Sequence, residues 1–191
     1  MSATSVPDRE KLVALLAERS ARRGDFTLAS GRQSTLYIDA RLTTMSPDGL
    51  ALIGPLALAA LKDASWNPDA VGGLTLGADP ISYAIAYASA NTSMPVRAFT
   101  VRKQAKLHGT GRLIEGPFRE HDHVVVVEDV ITTGSSALQA VDVIRLAGGT
   151  VLGVLALVDR EEGGRDTLLS SGLQVLTLTR ATEIIARLLP A

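Results

Sequence analysis

VVVVEDVITTGSS, residues 124–136, is the stretch on which the fold turns. Four consecutive valines read as a strand buried on both faces, because an apolar run without alternation leaves no side for water. Two adjacent acids follow, then small hydroxyl residues around a glycine, then a helix predicted from about Ser135 to Ala147. Backbone amides at that helix start, with the hydroxyls of Thr132, Thr133, Ser135 and Ser136, suit a phosphate, and Gly134 keeps the loop narrow. Glu128 and Asp129 repel anions, so beside such a loop they address a different group: sugar hydroxyls or a metal ion. A phosphorylated sugar satisfies both halves. The competing reading, a capped helix with two solvated acids, accounts for each feature singly but not for all of them together. No Walker loop and no GxGxxG dinucleotide pattern occurs.

Outward from this stretch the same order recurs. Apolar runs at 70–76, 96–101, 151–158 and 175–178 read as strands, with helices predicted after Asp79-Pro80 and beyond Gly164 and a last one reaching Leu189. Such alternation argues for an α/β fold, a mainly parallel central sheet flanked by helices, whose ligands bind at the carboxyl ends of the strands. Toward the N-terminus, Asp8 caps a helix that Gly24 stops, and Leu36, Ile38, Ala40 and Leu42 alternate with polar residues as a half-buried strand from Ser34 to Leu42. Ser46-Pro47-Asp48 opens an apolar helix toward Leu61, which Pro55 is expected to kink or split.

The remaining composition excludes more than it suggests. Lys and Arg total 19 against 20 Asp and Glu, so any anion site is local. Cysteine is absent, which removes disulfides, thiolate metal sites and a thiol nucleophile. Aromatics make up 4%, too few for a stacking surface for single-stranded nucleic acid. The N-terminus lacks signal-peptide order and no run has membrane-spanning length, so a cytoplasmic protein of one domain, residues 1–191, is expected. His121 and His123 flank Asp122 before a strand; a solvated strand entry is preferred there to a metal site.

Between Arg102 and Gly116 lies a basic, glycine-containing stretch, RKQAKLHGTGRLIEG, in which Arg102, Lys103, Lys106, His108 and Arg112 precede any acid. A mobile cationic lid fits it: positive charge that meets an anionic leaving group stabilises the transition state, and closure excludes water. A solvated loop is the usual fate of such a run. Its neighbourhood decides the matter, because residues 124–136 closely resemble the phosphoribosyl-pyrophosphate (PRPP) motif of type I phosphoribosyltransferases. RKxAKxHG, residues 102–109, is similar to the catalytic loop of the orotate phosphoribosyltransferases. FTLASGRQS, residues 26–34, and LVDREEG, residues 157–163, are similar to that family's N-terminal and strand-end segments.

The resemblance implies the fold derived above plus a small N-terminal hood within residues 1–45. It implies transfer of ribose 5-phosphate from PRPP to orotate, giving orotidine 5-phosphate and pyrophosphate with Mg²⁺ held mainly by the substrate. Carried over residue by residue, Glu128 and Asp129 hold the ribose hydroxyls and Thr132, Thr133, Gly134, Ser135 and Ser136 the 5-phosphate. Arg102, Lys103, Lys106 and His108 meet the pyrophosphate from a flexible loop, 102–116, shared across a homodimer, and Lys106 and Asp129 head the catalytic set. Ser30, Gly31, Thr132 and Arg160 hold orotate; a guanidinium fork suits its carboxylate. The chain departs from the pattern at Ala29 and Gly77, where many members carry Lys. A phosphoribosyltransferase for another base, or a non-catalytic PRPP sensor, is the alternative.

Overall fold

Residues 5–27, 33–104 and 113–188 are described by the computed structural model. At its centre is β6 (His123–Ile131), which pairs in parallel with β3 (Ala70–Leu74) on one side and β7 (Thr150–Asp159) on the other. β4 (Arg97–Val101) joins β3 and β8 (Val175–Arg180) joins β7, both in parallel. A two-residue strand, β5 (Ile114–Glu115), adds antiparallel to β4, giving the sheet order β5-β4-β3-β6-β7-β8. β5 was hidden in the polar stretch before Gly116, because two residues carry no period.

The four valines explain the layering. Val125 and Val127 enter a core with Leu12, Leu16, Ile53, Ile81 and Ile85, whereas Val124 and Val126 enter a second with Phe99, Ala140, Val141 and Ile144. Successive strand residues point to opposite faces, so a strand covered on both sides needs an unbroken apolar run. The first core lies under α1 (Ser5–Leu15), α3 (Pro47–Asp63), α4 (Ala78–Ser89) and α7 (Ala181–Ile185); the second lies under α5 (Ser135–Leu146) and α6 (Gly164–Ser170).

Four expectations need correction. α1 begins before Asp8, passes into a π-helical turn at Leu16–Ser20 and gives way to strand β1 (Ala21–Thr27) well before Gly24. β1 pairs antiparallel with β2 (Gln33–Ile38), and the ladder, not a glycine, ends the helix. The strand expected to reach Leu42 stops at Ile38, because Arg41–Thr44 turns into the short helix α2 and leaves Leu42 exposed. Pro55 does not split α3: the ring sits on the exposed face while Ile53, Gly54, Leu56 and Ala57 bury the other. The last helix ends at Ile185. Ser46 does cap α3, its hydroxyl accepting from the Gly49 amide at 3.2 Å.

The β1–β2 hairpin forms a sheet of its own. It is tied to the main body where the Asp39 amide donates to the Ser20 carbonyl at 2.9 Å and Ser20 Oγ meets Thr43 Oγ1 at 2.7 Å. This brings the segment after β2 over the carboxyl ends of β3, β6 and β7.

Candidate active site

β6 does not stop at the valines. Glu128 stays in register opposite Ala156, and Val130 and Ile131 opposite Val158 and Asp159, so the two acids are carried on the rigid end of the central strand. The chain then turns through Thr132, Thr133 and Gly134 into α5. Gly134 has φ 82°, and a Cβ there would lie 2.9 Å from the Gly164 carbonyl oxygen, so both conformation and space demand glycine. Thr133 Oγ1 and Ser135 Oγ lie 3.0 Å apart across the turn, which lines a pocket of about 60 Å³ with Glu128, Thr132 and Ser136.

That pocket adjoins a cleft of about 330 Å³. Glu128, Asp129, Thr132 and Ser136 form its floor, Arg160 one wall, and Lys103 with Thr75, Leu76 and Gly77 the other. Tyr37, Asp39 and Arg41 close it from the hairpin side. The paired acids, the hydroxyl turn and Arg160 thus open into one space, as an extended phosphorylated ligand requires.

The electrostatics of the floor are unusual. Burial pushes the Glu128 carboxyl up to about 8, helped by the Asp129 charge and by a hydrogen bond with Asp129, and opposed by Lys103. Its Oε2 is buried and, among the described residues, without a hydrogen-bond partner. A buried acceptor left open at the junction of two pockets is suited to a hydroxyl donor from a ligand. Asp129 accepts from the Val130 amide at 2.9 Å. Its carboxylate fills the space beside Gly77, where a Cβ would meet Asp129 Oδ2 at 2.3 Å.

Arg160 follows β7, its amide bonded to the Ile131 carbonyl at 3.0 Å, so its backbone is pinned to the end of β6. The residue is only 7% exposed. Nη2 donates to Glu162 Oε1 at 2.6 Å and to the Leu36 carbonyl at 3.1 Å, and Nε donates to the same Glu162 oxygen at 3.2 Å. This is no surface ion pair of little consequence: the guanidinium is held at the cleft by the sheet and the hairpin together.

Lys103 lines the cleft. Arg102 does not; its Nη1 lies 3.6 Å from Glu115 Oε1 and its amide donates to the Leu113 carbonyl at 2.8 Å, so its main chain braces the base of the basic stretch. Lys106, His108, Ser30 and Gly31 lie outside the described residues. His121 and His123 are exposed at the opposite end of the sheet, His123 Nδ1 lying 3.5 Å from Asp69. Tyr37, Asp39, Arg41 and Glu162 were not predicted as site residues, and Gly77 entered the sequence reading only as a departure from the family pattern. For the first three the signal was present, since they are the polar phase of the alternation at 36–42; read as the solvent face of a strand, it is instead the face turned to the cleft.

No family model matches the chain. The orotate phosphoribosyltransferase of Aquifex aeolicus is 47% identical over 181 residues, 93% of this chain and 98% of that protein. The crystal structure of Mycobacterium tuberculosis H37Rv orotate phosphoribosyltransferase in complex with Fe(III) dicitrate superposes with a TM-score of 0.82 at 42% identity, covering 93% of this chain and 99% of that one. The structure of the same enzyme in complex with PRPP gives 0.76 at 36% identity, with 93% and 92% covered.

Proposed function

The chain belongs to the orotate phosphoribosyltransferase family, and we propose that it transfers ribose 5-phosphate from PRPP to orotate in de novo pyrimidine (UMP) synthesis. The observation that carries the reading is the single cleft into which Glu128, Asp129, the Thr132–Ser136 turn and Arg160 all open.

In this reading the Thr132–Ser136 turn and the amino end of α5 take the 5-phosphate through hydroxyls and amides. Glu128 and Asp129 accept from the ribose hydroxyls, and the open Oε2 of Glu128 supports that role. Their charge also favours the positive charge that develops on the ribose as its bond to pyrophosphate breaks. Arg160 takes the orotate carboxylate with Thr132 beside it, and Ser30 and Gly31 complete that side. Lys103, with Arg102, Lys106 and His108 of the same loop, receives the departing pyrophosphate. No covalent nucleophile is needed; alignment and charge supply the rate.

Mg²⁺ fits as an ion carried by the donor's diphosphate. Among the described residues no group of three or more His, Cys, Asp or Glu is placed to hold a metal; in this reading the ion is bound through substrate phosphates and water. When bound, it neutralises charge on the leaving group. We further propose one catalytic domain with a hood at residues 1–45, a homodimer that shares the 102–116 loop, and a cytoplasmic setting; among the described residues no helix is long and apolar enough to cross a membrane. Loss of orotate absorbance on adding PRPP and Mg²⁺ tests the reading. Turnover of a purine instead of orotate, or PRPP binding without turnover of any base, would overturn it.

A further inference from the structure

Among the described residues three cations line the cleft, Arg41, Lys103 and Arg160, against three acids, Asp39, Glu128 and Asp129. The donor substrate brings a 5-phosphate and a diphosphate, and the turn after β6 accounts only for the first. Arg160 stands on the β7 side, engaged by Glu162 and the Leu36 carbonyl. On the β3 side the segment Thr75-Leu76-Gly77 brings no basic side chain to the wall beside Lys103, and the space a side chain at Gly77 would fill is taken by the Asp129 carboxylate. Arg41 lines the same cleft from the hairpin segment, and the Asp129 charge acts weakly on its guanidinium. Its guanidinium is oriented in advance: Nε and Nη2 donate to the two carboxylate oxygens of Asp39 at 2.8 and 2.9 Å. The Arg41 amide closes the arrangement on Asp39 Oδ1 at 3.1 Å. A guanidinium fixed by a bidentate carboxylate keeps its charge and loses little rotamer freedom when an anion arrives.

We propose that Arg41 is a diphosphate-binding residue of the donor site, held in place by Asp39, and that with Lys103 it supplies the positive charge that Gly77 does not. This rests on the phosphoribosyl-transfer reading and adds to it a contact from the hairpin, outside the basic loop. An exposed arginine paired with its near neighbour serves surface solubility in most proteins; here the pair faces the cleft, and its partner Asp39 is itself largely covered.

The test measures two ligands on Arg41→Gln, Arg41→Lys and the unaltered protein. Calorimetric titration with Mg²⁺-pyrophosphate reads the diphosphate site without turnover, and steady-state kinetics give KM for PRPP and for orotate. Arg41→Gln should weaken pyrophosphate and raise KM for PRPP about tenfold or more, the scale of one lost charged contact. KM for orotate should stay within about twofold and the melting temperature should be unchanged. Arg41→Lys should recover part of the loss. Unchanged pyrophosphate binding in Arg41→Gln overturns the proposal, and so does an equal rise in both KM values, which marks a merely structural role for the hairpin. If the unaltered protein binds pyrophosphate in an Arg41-dependent way yet does not turn over orotate, the contact stands and the family activity is what fails.

Discussion

Replacing Glu128 with Gln removes one titrating carboxyl while keeping the shape, and the structure fixes the sign of the resulting pH dependence. The ordinary glutamate value is 4.5, and burial first, then Asp129, raises Glu128 to about 8. The folded chain therefore holds a proton at this site over a range in which the unfolded chain has lost it. Stability from this group is complete below about pH 4.5 and drains away as pH rises toward about 8. At about 1.4 kcal/mol per pH unit the gap sets a ceiling of ~5 kcal/mol, and relaxation of the side chain toward cleft water brings the expected figure nearer ~2–3 kcal/mol. Urea unfolding of both proteins, without substrate, from about pH 5 to about pH 9 isolates this contribution, because other groups cancel in the difference. The difference should move in favour of the Gln variant by at least ~2 kcal/mol as pH rises. A difference constant to within ~0.5 kcal/mol across that range would refute the reasoning. The same sign governs ligand binding: hydroxyl donors favour the ionised carboxylate, so PRPP should expel a proton near pH 7, seen as a buffer-dependent heat that Glu128→Gln lacks.

Gly77→Ala keeps an ordinary backbone, since Gly77 has φ −66° and ψ −40°, but its methyl would lie 2.3 Å from Asp129 Oδ2 and must displace that carboxylate. kcat/KM for PRPP should fall about tenfold or more with less than ~1 kcal/mol lost in stability; a value within about twofold of the parent would clear Asp129 of the ribose role. Gly134→Ala forces a side chain into a φ of 82° against the Gly164 carbonyl. It should cost ~1–3 kcal/mol and weaken inorganic phosphate binding, checked by thermal melts and titration; an unaffected phosphate affinity would detach the turn from the 5-phosphate. Arg160→Lys replaces a fork with a point charge beside Glu162. KM for orotate should rise about tenfold or more with KM for PRPP unmoved, and an equal rise in both would deny Arg160 the base site.

The parts legible in the sequence are those in which one residue type can do only one thing. Four valines in a row have no use except in a strand covered on both faces, and the structure divides them two and two between separate cores. Gly134 followed by hydroxyls at a helix start is equally committed, because the turn adopts a φ that other residues resist. The hairpin was harder. Its alternation gave the period correctly at Leu36 and Ile38 but could not say where the ladder ends, and past Ile38 the chain turns helical. That change swings Asp39 and Arg41 into the cleft, so the polar phase became part of a site.

Glu162 and Gly77 show a different limit. Each matters only through another side chain: Glu162 through the Arg160 guanidinium two residues before it, and Gly77 through the Asp129 carboxylate, far from it along the chain. A glycine before a helix and an acid beside an arginine have many ordinary explanations, and spacing along the chain does not choose among them. The choice is made by the parallel ladder, which sets Ile131 opposite Asp159 and so brings the ends of β6 and β7 level. Once those ends are level, a guanidinium following one strand and a carboxylate pair on the other face the same cleft from two sides. Pairing at the strand ends thus does what no single motif does: it converts two separate short patterns into one site of defined span.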